Sequence, residues 1–416
     1  MKLRTLATVA VGAVAFAFGA GPQGDFGFAT VQAQAEGVRA EVGKYLKDAS
    51  ALIKAGKYKD ALAKVHDAEG VANRNGTENY AIEGMRVAAA SGAGDADSMV
   101  KGLEAMKASG KLPAANQLPM MESIAGTYLR NGNAAKALEW SNKYFQAGGT
   151  SATVKTIQTQ AQLKSGDMGA VMKDTMAEIT AEEKAGRTPS QDKLNLLMYA
   201  ASKKGDSGTE ALATEKLLNY YPRKELWAQV LGTLPTKKTF SDRFSLDVYR
   251  LKLATGNMKE ANDYMEMAQL AMQAGVPDEA KQVVDKGFSA NLLGQGSEGA
   301  RHKRLQDLIT KRVAEAKAAQ SAAEKDAQEA KDGNALVPLG LGFAFRGDAA
   351  KGAKLIEQAI AKDSLKRPED AKLYQGIALF MAGDTAKAQS VWRSVKGTDG
   401  SAELARLWVI HARAGK

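Results

Sequence analysis

The chain has 416 residues and no cysteine, which excludes disulfides, thiolate metal sites and a cysteine nucleophile. Its 57 basic and 47 acidic residues leave a net charge of +10, spread along the chain rather than gathered on one segment. Binding of nucleic acid usually needs such charge concentrated on one face, so we predict no nucleic-acid partner. Aromatic residues make up 6% and prolines number 9, which favours helix over strand.

The N-terminus carries the pattern of an export signal. Lys2 and Arg4 precede an apolar run over residues 5–20, and Ala33-Gln34-Ala35 forms a small-residue cleavage motif. The run has 16 residues, fewer than the ~20 that a membrane-spanning helix needs. We predict a signal peptide over residues 1–35, cleaved after Ala35, and a periplasmic protein without a stable membrane span. The alternative is that the segment is kept as an anchor.

A short pattern recurs along the rest of the chain. A Gly is followed by Asp, Asn or Lys, and about five residues after the Gly by a small residue. The clearest copies pair Gly56 with Ala61, Gly132 with Ala137, Gly256 with Ala261, and Gly383 with Ala388. Weaker copies begin at Gly94, Gly166, Gly205, Gly275 and Gly347. The first steps, of 38, 38, 34 and 39 residues, predict a repeated unit of two helices.

The residue types of this pattern have a physical explanation. Gly ends a helix in the left-handed conformation without steric cost. The Asp or Asn that follows accepts hydrogen bonds from the free amides at the start of the next helix. The pattern therefore predicts the turn between two antiparallel helices.

The C-terminal copies carry the clearest family resemblance. Gly376, Leu379, Gly383, Ala388 and Trp392 are separated by 3, 4, 5 and 4 residues. This spacing resembles the tetratricopeptide repeat, and segments that begin at Ala49, Ala125 and Gly340 fit the same frame. The resemblance implies an all-α solenoid of helical hairpins wound into a right-handed superhelix. The mature chain also looks like the secreted tetratricopeptide-repeat proteins of Gram-negative bacteria, a group usually without a defined biochemical activity.

Two segments depart from the spacing of the recurrent Gly pattern and divide the chain into parts. Residues 222–243 contain two prolines and predict one helix, over 224–231, followed by an irregular loop. Residues 294–332 predict a loop and then a long, Ala-rich, charged helix that projects or bridges. We therefore predict four parts: a signal peptide at 1–35, helical repeats at 36–293, the loop and long helix at 294–332, and a C-terminal repeat pair at 333–416.

The sequence offers no catalytic constellation. His66, His302 and His411 are far apart and lie in no metal-binding spacing, and no phosphate-binding or nucleophile motif is present. We predict no enzymatic activity, no metal and no cofactor. A basic cluster begins at Arg301 and extends to Lys311 and Arg312. It is either a solvated helix face or a contact for acidic lipid, polysaccharide or nucleic acid.

The resemblance also implies a binding surface, because inner helices of such solenoids line a concave groove that receives a peptide. The inner positions in the family's frame are Glu122, Arg130, Arg243, Arg250, Leu373, Ile377 and Phe380. Arg243 and Arg250 are the best candidates for binding a carboxylate, since a guanidinium group presents several N–H donors in one plane. The alternative is that all seven are ordinary solvated or core residues.

The resulting functional hypothesis is a non-enzymatic periplasmic scaffold that binds a peptide or an envelope protein in a helical-repeat groove. By family analogy it acts as an accessory to an envelope transport or energy-transduction machine. The alternative is a periplasmic carrier of a lipid or another small apolar ligand. A closed apolar cavity would favour the carrier, whereas an open, polar groove would favour the scaffold.

Overall fold

The fold is all-α, as the sequence predicts. A computed structural model describes residues 37–414, in which twenty α-helices and two short 3-10 turns occur and no strand is found. None of the helices in this range is both long enough and apolar enough to cross a membrane. The predicted signal peptide and its cleavage site after Ala35 lie outside the described residues.

The chain divides after Val171 into two compact units. The first eight helices are α1 (Ala40–Lys54), α2 (Tyr58–Glu69), α3 (Gly76–Ala93), α4 (Ala96–Ala108), α5 (Ala114–Arg130), α6 (Ala134–Gln146), α7 (Ala152–Ser165) and α8 (Met168–Lys184). The next six are α9 (Gln191–Lys204), α10 (Ser207–Tyr220), α11 (Lys224–Thr233), α12 (Ser245–Ala254), α13 (Ala261–Gln273) and α14 (Pro277–Ser289). The last six are α15 (Gly299–Glu329), α16 (Leu336–Phe345), α17 (Ala349–Ala361), α18 (Pro368–Met381), α19 (Thr385–Arg393) and α20 (Ser401–Ala414).

The predicted turns are confirmed at the level of the backbone. All nine glycines of the recurrent pattern have positive φ, between +70° and +107°. At the last copy, Asp384 donates its N–H to Leu379 O at 2.9 Å, and its carboxylate accepts from the N–H of Lys387 at 3.1 Å. One residue thus closes the first helix and caps the second. Asp or Asn caps the next helix in the same way after Gly94, Gly132, Gly166, Gly205 and Gly347.

Three of the nine copies lack an Asp or Asn cap. In two of them the residue after the Gly is Lys57 or Val276, and neither caps the next helix. After Gly256, the following helix α13 begins only at Ala261, and Asn257 does not cap it. Instead Asp263 accepts from the N–H groups of Lys259 and Glu260 at 2.8 and 3.3 Å. Ala261 is consequently the first residue of its helix and is only half-buried, whereas Ala61, Ala137 and Ala388 are fully buried.

Small residues let neighbouring helices approach closely. A Cβ atom on Gly340 would lie 2.7 Å from the carbonyl oxygen of Gly352, and one on Gly352 would lie 2.4 Å from that of Gly340. Helices α16 and α17 therefore touch through their backbones. At Gly376 a Cβ would lie 2.1 Å from Nε1 of Trp392, which donates to Leu373 O at 3.0 Å. The large residue of the repeat frame thus fills the groove that the small residue opens.

In the second unit, the C-terminal helices return to the helices with which the unit begins. Helix α20 packs against α10, α12 and α18, and one core joins Trp227 and Phe244 to Trp392 and Trp408. The irregular segment after α11 belongs to this junction, because Ser241 donates its N–H to Asp399 O at 2.9 Å. Residues 222–243 therefore supply part of the core that these helices share.

The long helix α15 bridges rather than projects. Its first half contributes Ile309 to the core of α12–α14, with Leu305 and Val313 packed against that core. Its second half contributes Ala327 to a core with α16 and α17, where Lys351 contacts Glu324 at 2.8 Å. Because the second half of α15 packs against α16 and α17, alanines alone can form its apolar face.

Candidate functional site

The predicted inner-helix arginines form an inner charge network within the second unit. Arg250 on α12 donates from Nε and from one terminal nitrogen to the two carboxylate oxygens of Glu279 on α14, at 2.7 and 2.6 Å. Its other terminal nitrogen donates to Asp247 at 2.8 Å, and all three side chains are buried. The hydroxyl of Tyr374 on α18 lies 3.3 Å from the second oxygen of Asp247. The network thus joins three helices that are far apart in sequence.

Arg243 extends the network to the C-terminal end. It donates to both oxygens of Asp370 on α18, at 3.0 and 3.1 Å, and it also contacts Asp399. The Asp370 hydrogen bond raises the pKa of Arg243. On the opposite side, Arg346 at the end of α16 donates to both oxygens of Asp278 on α14, at 3.0 and 2.6 Å. The carboxylates that these arginines contact are therefore side chains of the same chain.

Burial gives one network carboxylate an unusual pKa. Desolvation raises the pKa of Asp247 to about 6, although the charge of Arg250 opposes the shift. Asp399 behaves in the opposite way, because hydrogen bonds from Arg243 and Ser401 outweigh its partial burial and lower its pKa to about 2. Burial also raises the pKa of Tyr374. Burial therefore makes Asp247 easier to protonate than a solvent-exposed aspartate.

The three apolar positions predicted for a groove lie in or beside the core of the second unit. Leu373 and Ile377 are buried in the core shared by α10–α12 and α18–α20. Phe380 is half-buried, with its ring centroid 6.0 Å from that of Trp392 and 5.9 Å from that of His411. These positions are occupied by packing within the chain, and any role toward a ligand stays a prediction.

The two positions predicted in the first unit do not form a pair. Glu122 is half-buried on α5, while Arg130 at the end of the same helix is exposed and donates to the hydroxyl of Thr127 at 2.8 Å. No ion pair joins them in the described part of the chain, and their predicted binding role stays a prediction.

A different surface of the second unit is open. Two adjoining depressions, of about 310 and 330 Å³, lie between α13 and the start of α15 and share Asn262, Met265 and Arg301. We call this surface the α13–α15 groove. Its floor is apolar at Met265, Leu270 and Leu292, and its rim is polar.

The rim of the α13–α15 groove is a row of polar side chains on one face of α13. Asn262, Glu266, Gln269 and Gln273 are all exposed and follow one another at steps of four, three and four residues. Glu266 accepts from the hydroxyl of Tyr249 at 2.8 Å. This spacing keeps the three amides on the same side of the helix, where they can donate and accept hydrogen bonds.

The other wall of the groove is held by a buried histidine. His302 accepts at Nδ1 from the N–H of Gly294 at 3.1 Å, so a neutral ring carries its proton on Nε2. Arg301 beside it is exposed and contacts Glu298 at 3.3 Å, also exposed. His302 thus fixes the loop over residues 292–298 against the first turn of α15, and that loop forms one end of the groove.

Comparison with known proteins adds no relative. No protein-family model matches the chain, and no curated protein matches it. Within residues 37–414, no three His, Asp or Glu side chains gather closely enough to hold a metal ion.

Proposed function

We propose that this chain is a non-enzymatic scaffold of the tetratricopeptide type, exported to the periplasm, which binds another envelope protein through the α13–α15 groove. The observation that carries the proposal is that this groove is open to solvent and rimmed by a regular row of exposed amides. The nine left-handed glycine turns and the capped second helices support the hairpin solenoid that the resemblance implies.

The row of amides suits an extended peptide. Four residues along a helix rise by ~6 Å. Two residues of an extended chain rise by ~6.8 Å, so successive peptide groups that face the same way recur at a similar interval. Gln269 and Gln273, which are four residues apart, can therefore each meet a peptide group of a partner laid along α13. Met265 and Leu270 offer apolar contact beneath it.

A lipid carrier is the less favoured alternative. A small apolar ligand needs a concave site that removes most of its surface from water. The α13–α15 groove is lined by Asn262, Glu266, Gln269, Gln273 and Arg301, which leave it polar and open. The interior of the second unit, where a cavity would favour the carrier, holds the inner charge network instead.

Crosslinking in intact cells tests the scaffold. A photo-crosslinking amino acid at Gln269 is expected to capture a distinct envelope protein, identified by mass spectrometry. The same amino acid at Lys354, an exposed position on α17, is the matched control and is expected to capture far less of it. Equal capture at both positions, or no captured protein at Gln269, would contradict the proposal.

The export part has its own test. Cell fractionation with an antibody against the chain is expected to place it in the periplasm, with its mature N-terminus at Glu36. Recovery from the cytoplasm with residues 1–35 still attached would reject export. Recovery in the membrane with these residues attached would instead support a retained anchor.

A further inference from the structure

We propose that the partner segment in the α13–α15 groove is acidic, and that its carboxylates contact a cationic face of α15. This inference rests on the proposed function and names the chemistry of the partner. The α15 cationic face consists of Arg301, Arg304, Leu308, Lys311 and Arg312. It begins at Arg301, which also lines the groove, so the two surfaces are continuous.

Helical geometry places these residues on one side of α15. At ~100° per residue, positions 304, 308, 311 and 312 all fall within about 80° of Arg301 around the helix. His302 and Ile309 lie on the side that packs against the rest of the unit and are buried. All five members of the cationic face are exposed. The face is therefore presented to solvent as a unit.

The charge on this face is only partly neutralised. The face carries four basic side chains, and the paired Glu298 and Glu315 beside it leave an excess of two positive charges. In the part of the chain that the structure describes, Arg304 and Lys311 form no ion pair. Arg312 contacts Glu315 at 3.0 Å and Arg301 contacts Glu298 at 3.3 Å, both at exposed positions. Such exposed pairs are weak and can be exchanged for a partner's carboxylates.

An apolar side chain lies within the charged face. Leu308, with 48% of its surface exposed, is the most exposed of the large hydrophobic residues identified as exposed in residues 37–414. A partner that places one apolar residue among acidic ones would cover it. The expected occupant is therefore an acidic segment with at least one leucine-like residue.

A protein segment suits these surfaces better than a membrane or a nucleic acid. Helices that lie on membranes present several large apolar residues along one face, whereas this face has Leu308 alone. Single-stranded nucleic acid is bound by stacking on aromatic side chains, and this face carries none. The adjoining row of amides on α13 provides hydrogen bonds for a peptide backbone.

Peptide binding to the purified mature chain tests the inference. The probe is a fluorescent peptide of roughly ten residues, the length that spans the α13 row and the cationic face. It alternates glutamate with leucine, and a second probe carries lysine in place of glutamate. Fluorescence anisotropy is expected to show binding of the acidic probe and at least tenfold weaker binding of the basic one. Higher salt is expected to weaken the acidic probe, because exposed charges are screened.

The structure offers a matched pair of variants. Arg301→Ala, Arg304→Ala and Lys311→Ala together should weaken the acidic probe tenfold or more. Lys44→Ala, Lys47→Ala and Lys54→Ala on α1 remove the same charge from exposed positions with the same spacing, and should leave binding within twofold. Thermal melting checks that both variants remain folded. An equal loss in both variants, or tighter binding of anionic vesicles or single-stranded DNA than of the acidic peptide, would overturn the inference.

The captured partner separates this inference from the proposed function. If the segment crosslinked at Gln269 is rich in Asp and Glu, the inference is supported. If a specific protein is captured through a neutral or basic segment, the scaffold stands and the acidic partner is wrong. If nothing is captured at Gln269, both are wrong.

Discussion

The guanidinium of Arg250 on α12 lies across the carboxylate of Glu279 on α14, with N···O distances of 2.7 and 2.6 Å and both side chains buried. A buried pair of this kind gains little over apolar packing, but removing one member leaves the other charge buried and unpaired. Arg250 also donates a hydrogen bond to Asp247, so its removal would leave two buried carboxylates without their cationic partner.

Arg250→Ala is therefore expected to destabilise the second unit by about 3–5 kcal/mol. Urea unfolding followed by tryptophan fluorescence measures this, in a Trp140→Phe background that leaves only Trp227, Trp392 and Trp408 of the second unit as reporters. The exposed Arg393→Ala on α19 is the control and should change stability by no more than ~0.5 kcal/mol. If both variants lost the same small amount of free energy of unfolding, the network would not be needed for the stability of the second unit.

The stability of the second unit should depend on pH through Asp247. Its folded pKa of about 6 lies above the unfolded value of ~3.9, so the folded state holds the proton more tightly. Keeping Asp247 ionised in the folded state therefore lowers the free energy of unfolding. This cost is fully present above pH ~6 and disappears as pH falls toward ~4. Urea unfolding is expected to show a gain of about 1 kcal/mol between pH 7 and pH 5.

Asp247→Asn provides the control for this pH dependence. Asparagine imitates the protonated acid, so the variant should be at least as stable as the parent at pH 7 and should lose the gain on acidification. Asp399 contributes with the opposite sign, because its folded pKa of about 2 is below the unfolded value and its contribution is lost as pH falls from ~4 toward 2. A pH gain of the same size in Asp247→Asn would assign the effect to another group.

The backbone contact between α16 and α17 predicts a large effect of one methyl group. Gly352→Ala puts a Cβ 2.4 Å from the carbonyl oxygen of Gly340, so the helices must move apart. The expected loss in urea unfolding is about 1–3 kcal/mol, as for other overpacked contacts. Gly232→Ala, inside α11 with nothing within 4 Å of the new Cβ, should be neutral or stabilising by up to ~1 kcal/mol. The same outcome for both substitutions would contradict the close approach.

The turn pattern predicts the effect of removing a cap. Asp384→Ala deletes the acceptor for the Lys387 amide at the start of α19 and should cost about 0.5–2 kcal/mol. Asp384→Asn keeps an acceptor oxygen and should cost less. Hydrogen exchange of the α19 amides measures both, and a similar loss of protection in the two variants would argue that the charge matters rather than the cap.

The sequence predicts local structure better than long-range structure. The recurrent Gly, which Asp or Asn follows in seven of the nine copies, specifies a turn through the conformations of two adjacent residues, so all nine turn glycines could be located. The return of α20 to α10 and α12 depends on contacts between residues more than a hundred positions apart, such as Arg406 with Glu215. No local pattern encodes such a contact.

The candidate site is only partly predictable for a related reason. The resemblance places Arg243 and Arg250 on an inner surface, and they do face buried carboxylates, but these belong to α14 and α18 of the same chain. Asn262, Gln269 and Gln273 form a polar stripe at helical spacing that the sequence also shows. The stripe has no position in the repeat pattern, and only the structure shows the open groove beside it.

We expect partners to bind in the α13–α15 groove and not at the inner charge network. Hydrogen–deuterium exchange of residues 36–416, alone and with the partner captured at Gln269, identifies the segments that the partner covers. Added protection is expected in residues 261–273 and 299–312, with no change in residues 245–254 and 368–381. Protection confined to the latter two segments, where the network lies, would place the partner at the network instead.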